Sequence, residues 1–264
     1  MNGSTDWPQY RFGLIVTGEA EEKGISGLFK SLTMTGLCSF SVICRIHQSR
    51  KSTNLINKSL PVARVVRTIK PETRPEPDKD ELEISYPAKK FLNGTKPNER
   101  RFVILLDDLE HDRLNDMKEI FEHLLFILRK AMNDEQRTRA SVHFLVMMME
   151  AYFFADAAAL KKILNLDRED YKEDVEMIRN PKSDFKDILS SCNGISYKET
   201  EHGVSLLKAV NIEKVLSNPK TCASLRSLFK WCVSKLNNHP QFHTVAIPDF
   251  KLADGIVSAL TDGQ

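Results

Sequence analysis

Carboxylates crowd behind a short apolar run in the middle of the chain. Residues Phe102 to Leu106 read F-V-I-L-L, and Asp107, Asp108, Glu110 and Asp112 follow at once, with His111 among them. A continuous β-rich run of this length suits a strand buried on both faces of a parallel sheet. Open α/β sheets bind their ligands beyond the carboxyl ends of such strands. Carboxylates gathered there repel one another, and a hard, oxygen-seeking cation such as Mg²⁺ relieves the repulsion. Two more acidic groups follow strand-like runs. The first is T-G-E-A-E-E, with Glu19, Glu21 and Glu22, after residues 11–16; the second is Glu150, inside M-M-M-E-A-Y-F-F, after residues 142–148. If the three strands are parallel, all three groups share one edge of the sheet. That layout suits one or two Mg²⁺ (or Mn²⁺) ions acting on a phosphodiester. The plainer alternative is that acidic residues gather at helix starts, where the dipole favours them.

These groups need a scaffold, and the chain supplies its elements in order. R-F-G-L-I-V at 11–16 predicts a first strand. A glycine turn follows, then a helix from about Ala20 to Leu32 with Ile25, Leu28, Phe29 and Leu32 on one face. Residues 37–47 read as a second strand. Residues 48–98 show no clear period and are broken by Pro71, Pro75, Pro77, Pro87 and Pro97, as expected of an insertion with a hairpin or two. After the strand at 102–106 come a helix over about 113–132, a strand at 142–148 and a helix over about 150–164. Further helices are expected from Asn180, over 203–216 and over 221–236, and the tail after His239 is weakly patterned. The expected fold class is α/β: a mostly parallel, Rossmann-like sheet in a core of residues 1–165, with a helical portion over 166–264 packed on it.

Composition narrows the function classes. The chain has 264 residues, 41% apolar and 28% charged, as in ordinary globular proteins, and its net charge of +2 decides nothing about nucleic acid. Positive charge is uneven. Arg45, His47, Arg50, Lys51, Lys58, Arg64, Arg67 and Lys70 run without an acid until Glu72, and such a segment either faces phosphates or is solvated. The five cysteines form no C-x-x-C pair, so no zinc site is indicated and a reducing compartment fits. No signal peptide is evident, and the most apolar stretch, 144–160, carries Glu150 and Asp156. The expectation is therefore a cytoplasmic protein without a membrane span. No H-E-x-x-H, G-x-S-x-G or P-loop occurs, so any ATP hydrolysis would belong to another chain.

Several separated segments together resemble one family. Leu14-Ile15-Val16-x-Gly18-x-x-Glu21 resembles an opening strand motif V-E-G-x-T-E. Ile104 to Glu110 resembles an apolar strand ending in D-x-D. Glu150-Ala151-Tyr152 through Asp156 resembles E-A-W-x-x-A-D, and Asn180-Pro181-Lys182 an N-P-K element; Gly203 to Leu207 and Cys222 to Phe229 resemble its C-terminal segments. In this order they are similar to a Toprim-fold family of uncharacterised bacterial proteins, related to the nuclease half of the OLD (overcoming lysogenization defect) proteins. The resemblance implies a Toprim-like core, Mg²⁺ dependence and cleavage of nucleic acid, DNA ahead of RNA. It also implies an ABC-type ATPase as partner and a role in defence against phage. Carried over residue by residue, Asp107, Asp108 and Glu110 would hold metal. Glu19 or Glu21 would hold a second metal or act as base, and Glu150 would complete the shell or orient water. Lys161 and Lys182 are candidates for phosphate contact. One departure stands out: Thr17 occupies the place of the glutamate that acts as general acid/base in Toprim enzymes. A degenerate, non-catalytic module that binds a partner ATPase or nucleic acid is therefore the alternative. The oligomeric state is left open.

Overall fold

The computed structural model describes residues 7–46 and 81–260, apart from 95, 97 and 195. Four strands form one sheet: β1 (Gln9–Val16), β2 (Cys38–Arg45), β3 (Glu99–Leu109) and β4 (Ala140–Val146). Their order is β2-β1-β3-β4, and every pairing is parallel. The expected α/β, Rossmann-like sheet is thus present. The central strands β1 and β3 are covered on both faces, which is why both read as unbroken apolar runs.

Helices fill both faces. On one side lie α3 (Tyr86–Asn93) and α4 (Met117–Arg129), with Phe91 of α3 against Gly13 and Phe121 of α4 against Phe144. The chain reaches the other side through α1 (Glu19–Gly24), a 3₁₀ segment (Ile25–Phe29) and α2 (Lys30–Thr33). The single helix expected there is bent. A methyl group on Gly27 would lie 2.8 Å from Cα of Lys208, so the bend lets two backbones meet. Short α5 (Asp134–Arg137) precedes β4; α6 (Met148–Phe153) and α7 (Ala157–Leu164) follow it, dividing the helix expected over 150–164. The remainder is helical, as the sequence implies: α8 (Pro181–Asn193), α9 (Val204–Ala209), α10 (Ile212–Val215) and α11 (Ala223–Leu236). An aromatic stack binds this second face. Phe29 and Phe40 lie 4.1 Å apart, Phe12 and Phe102 5.0 Å apart, and Trp231 of α11 meets Phe12 and Phe102 edge-on.

The tail is better determined than its sequence suggests. Phe250 is fully buried, 4.6 Å from Phe229. Beside it the buried Arg226 guanidinium donates to the carbonyls of Leu216, Asn218, Thr221, Phe250 and Lys251. The hairpins expected in 48–98, and most of the basic segment from His47 to Lys70, lie outside the described residues; within 81–98 the chain forms a π-helical turn and α3. No helix among the described residues is long and apolar enough to cross a membrane.

Candidate metal centre

Strand parity decides which carboxylates meet. β3 runs on through Asp107 and Asp108 to Leu109, so both acids sit inside the strand, paired with Phe144 and Leu145 of β4. Successive side chains point to opposite faces. Asp108 shares the parity of Phe102 and faces the α1 side. Asp107 faces the other way, where Arg113 Nη2 donates to it at 2.7 Å while Nη1 holds the Asp108 carbonyl at 2.8 Å. The two adjacent aspartates therefore face opposite sides of the sheet, and Asp107 is buried and paired with Arg113.

Glu21 reaches the same place from α1. It is 2% exposed and lies against Gly18 at the β1–α1 turn. Glu150 comes from α6 and is fully buried. Two successive left-handed residues, Met147 (φ 59°) and Met148 (φ 69°), turn the chain from β4 into α6 and deliver it. For side chains with a Cβ this geometry costs roughly 1–3 kcal/mol per residue, and such strain gathers at functional sites.

Glu21, Asp108 and Glu150 thus converge from the ends of three adjacent strands. Burial holds Asp108 well above the usual carboxylate range, and the Glu21 and Glu150 charges push it further. Burial also raises Glu21, and raises Glu150 to about 7 against the pull of Lys182. Oε2 of Glu150 is buried without a hydrogen-bond partner, and the buried carboxyls of Glu21 and Asp108 lie within hydrogen-bonding reach of each other, with no other side chain donating to them among the described residues. Oε1 of Glu150 accepts from the Tyr197 hydroxyl at 3.0 Å. Lys182, near the start of α8, pairs with Glu199 and lies close enough to Glu150 and Asp108 for their charges to raise its own pKa. Beside the cluster opens a depression of about 440 Å³, lined in part by Glu110, His111, Asp112, Arg179 and Lys182.

Carboxylates left unpaired in a buried place are costly unless they stay protonated or gain a cation. An all-oxygen donor set suits Mg²⁺ or Mn²⁺. Glu21, Asp108 and Glu150 would hold such an ion. Among the described residues no group of three or more His, Cys, Asp or Glu side chains is placed to hold a metal ion as it stands, so the fit rests on the chemistry of the donor set and on the unpartnered Oε2 of Glu150.

The remaining sequence candidates scatter. Glu19 is exposed and paired with Lys23 at 2.5 Å on the surface of α1, away from the cluster. Glu110 is exposed at the rim of the depression, together with His111. Lys161 is exposed and paired with Asp167. Asp156 is a structural tie that accepts from the Asn211 backbone at 2.8 Å and from Lys214 at 3.1 Å. Thr17 sits half-buried at the β1–α1 turn. Sequence reading missed Arg113, Tyr197 and Glu199. The last two come from a segment without a motif of its own, and Tyr197 meets Glu150 across 47 residues of chain. It also missed Glu176, whose buried carboxylate accepts from Tyr152 and from the Ser224 and Leu225 amides, capping α11.

Compared with known families, the chain matches the one described as a domain of unknown function, DUF4276, over residues 34–231. It belongs to the DUF4276 family. The DUF4276 match includes Asp108, Glu150, Lys182 and Tyr197, while Glu21 precedes it. No curated protein and no solved structure matches the chain.

Proposed function

We propose that this protein is a Mg²⁺- or Mn²⁺-dependent phosphodiesterase acting on nucleic acid, DNA ahead of RNA. One observation carries the reading: three buried carboxyls, Glu21, Asp108 and Glu150, gather at the carboxyl edge of the sheet, and Oε2 of Glu150 has no hydrogen-bond partner. When bound, a divalent cation polarises a phosphoryl oxygen and lowers the pKa of a coordinated water. The three carboxylates hold the ion's position. Lys182, at the border between cluster and depression, offsets charge on a phosphate lying there. Arg179, on the same rim, adds positive charge that suits a phosphate backbone. The resemblance to OLD-type nucleases supports the same chemistry in the cytoplasm, beside an ABC-type ATPase and in phage defence; co-purification of the two chains tests the partnership. The direct test incubates the purified protein with DNA and RNA in Mg²⁺ or Mn²⁺. Cleavage lost in Glu150→Gln and Asp108→Asn supports the proposal; equal cleavage by wild type and both variants overturns it.

Thr17 favours a second reading. The glutamate that acts as general acid/base in the resembling family is missing there, and Glu19, the nearest substitute in sequence, turns away to Lys23. On this reading the domain binds a partner or nucleic acid without cutting. Cleavage that appears only in Thr17→Glu would establish it.

A further inference from the structure

We propose that Tyr197 is a positioning residue that fixes Glu150 as a one-oxygen ligand for the cation; this rests on the cation reading above. The Glu150 carboxylate is divided in use. Oε1 accepts from the Tyr197 hydroxyl at 3.0 Å, and Oε2 has no partner although it is buried. A hydrogen bond to one oxygen restricts rotation of the carboxylate and leaves the other as the donor. Groups that bond to a ligand's second atom in this way orient it and tune its affinity.

Tyr197 is itself held firmly. Its ring meets Phe185 of α8 edge-on at 5.0 Å, and Phe185 packs in turn against Phe153 and Phe154 at the end of the helix that carries Glu150. On the far side, a methyl group on Gly203 would lie 2.8 Å from the Tyr197 hydroxyl oxygen. The ring is thus wedged between α8 and the turn before α9, which holds its hydroxyl beside Glu150. The groups around the carboxylate are Asp108 of β3, Glu21 of α1, Lys182 of α8 and Glu199 of the Tyr197 segment. Lys182 is engaged with Glu199, and among the described residues Tyr197 is the side chain that donates to Glu150.

The test uses Tyr197→Phe, which keeps the ring packing and removes the hydroxyl. Mn²⁺ binding is measured by calorimetry on wild type and variant, with a thermal melt of each ion-free protein as the fold control. The expected result is an affinity at least about tenfold weaker in the variant with a nearly unchanged melt. Infrared difference spectra on Mn²⁺ addition supply a readout that packing alone does not move. Wild type shows the wide carboxylate band separation of one-oxygen coordination, and the variant, with both Glu150 oxygens free, a narrower one. Mn²⁺ binding in wild type with affinity and band separation unchanged in the variant overturns the role of Tyr197 alone. No Mn²⁺ binding in wild type overturns the cation reading and this inference together.

Discussion

The Glu21 carboxylate rests directly on Gly18: a methyl group at position 18 would fall 1.7 Å from Glu21 Oε2. The backbone there is extended, with φ at −108°, so alanine is tolerated by the main chain and the conflict lies wholly with the carboxylate. Gly18→Ala is expected to displace Glu21 and weaken Mn²⁺ binding about tenfold or more, while the ion-free melting temperature changes little. Calorimetry and a thermal melt check both halves.

The buried carboxylates make the ion-free protein sensitive to alkali. Glu150 titrates near its ordinary value of 4.5 when unfolded and at about 7 when folded. Between these limits the folded state binds more protons than the unfolded state, so its stability falls as pH rises. The difference amounts to about 3 kcal/mol for this group. Glu150→Gln removes the penalty. In urea denaturation the variant should match wild type near pH 4 and exceed it near pH 8, and Mn²⁺ should restore the wild type at pH 8.

Glu19 and Glu21 separate two readings of one motif. Glu19 is surface-exposed and tied to Lys23, so Glu19→Ala is expected to leave Mn²⁺ affinity unchanged. Glu21→Gln is expected to reduce it at least about tenfold. Parallel titrations of the two variants decide the matter, and equal losses would sink the assignment.

Much of the fold could be read in advance because its signals are local. The apolar runs at 11–16, 102–106 and 142–148 marked strands, and their parallel arrangement put three acidic groups on one edge. The site was half legible. Asp107 and Asp108 look equivalent as neighbours in sequence; only the length of β3, which carries both inside the strand, assigns one to each face of the sheet. Glu19 and Glu21 likewise separate once α1 begins at Glu19 and turns that residue outward. Tyr197 and Glu199 could not be found, because their contacts with Glu150 and Lys182 close across long stretches of chain and leave no local pattern.

Arg226 provides a test unrelated to chemistry. Its guanidinium is buried and, among the described residues, donates to backbone carbonyls, including two from the tail, at Phe250 and Lys251. Arg226→Met would leave several of those carbonyls unpaired, for an expected loss of roughly 3 kcal/mol or more. Urea denaturation measures the loss, and limited proteolysis should show earlier cleavage between residues 249 and 260.

The convergence of Glu21, Asp108, Glu150 and Tyr197 has a practical outcome. These four residues come from the first strand–helix unit, the central strand, the β4–α6 elbow and the segment after α8. No contiguous fragment shorter than residues 21–197 contains all four. Cation uptake would therefore count intact molecules: the stoichiometry of a titration would report the correctly folded share of a preparation, and a peptide carrying any one acidic motif should bind no better than free carboxylate.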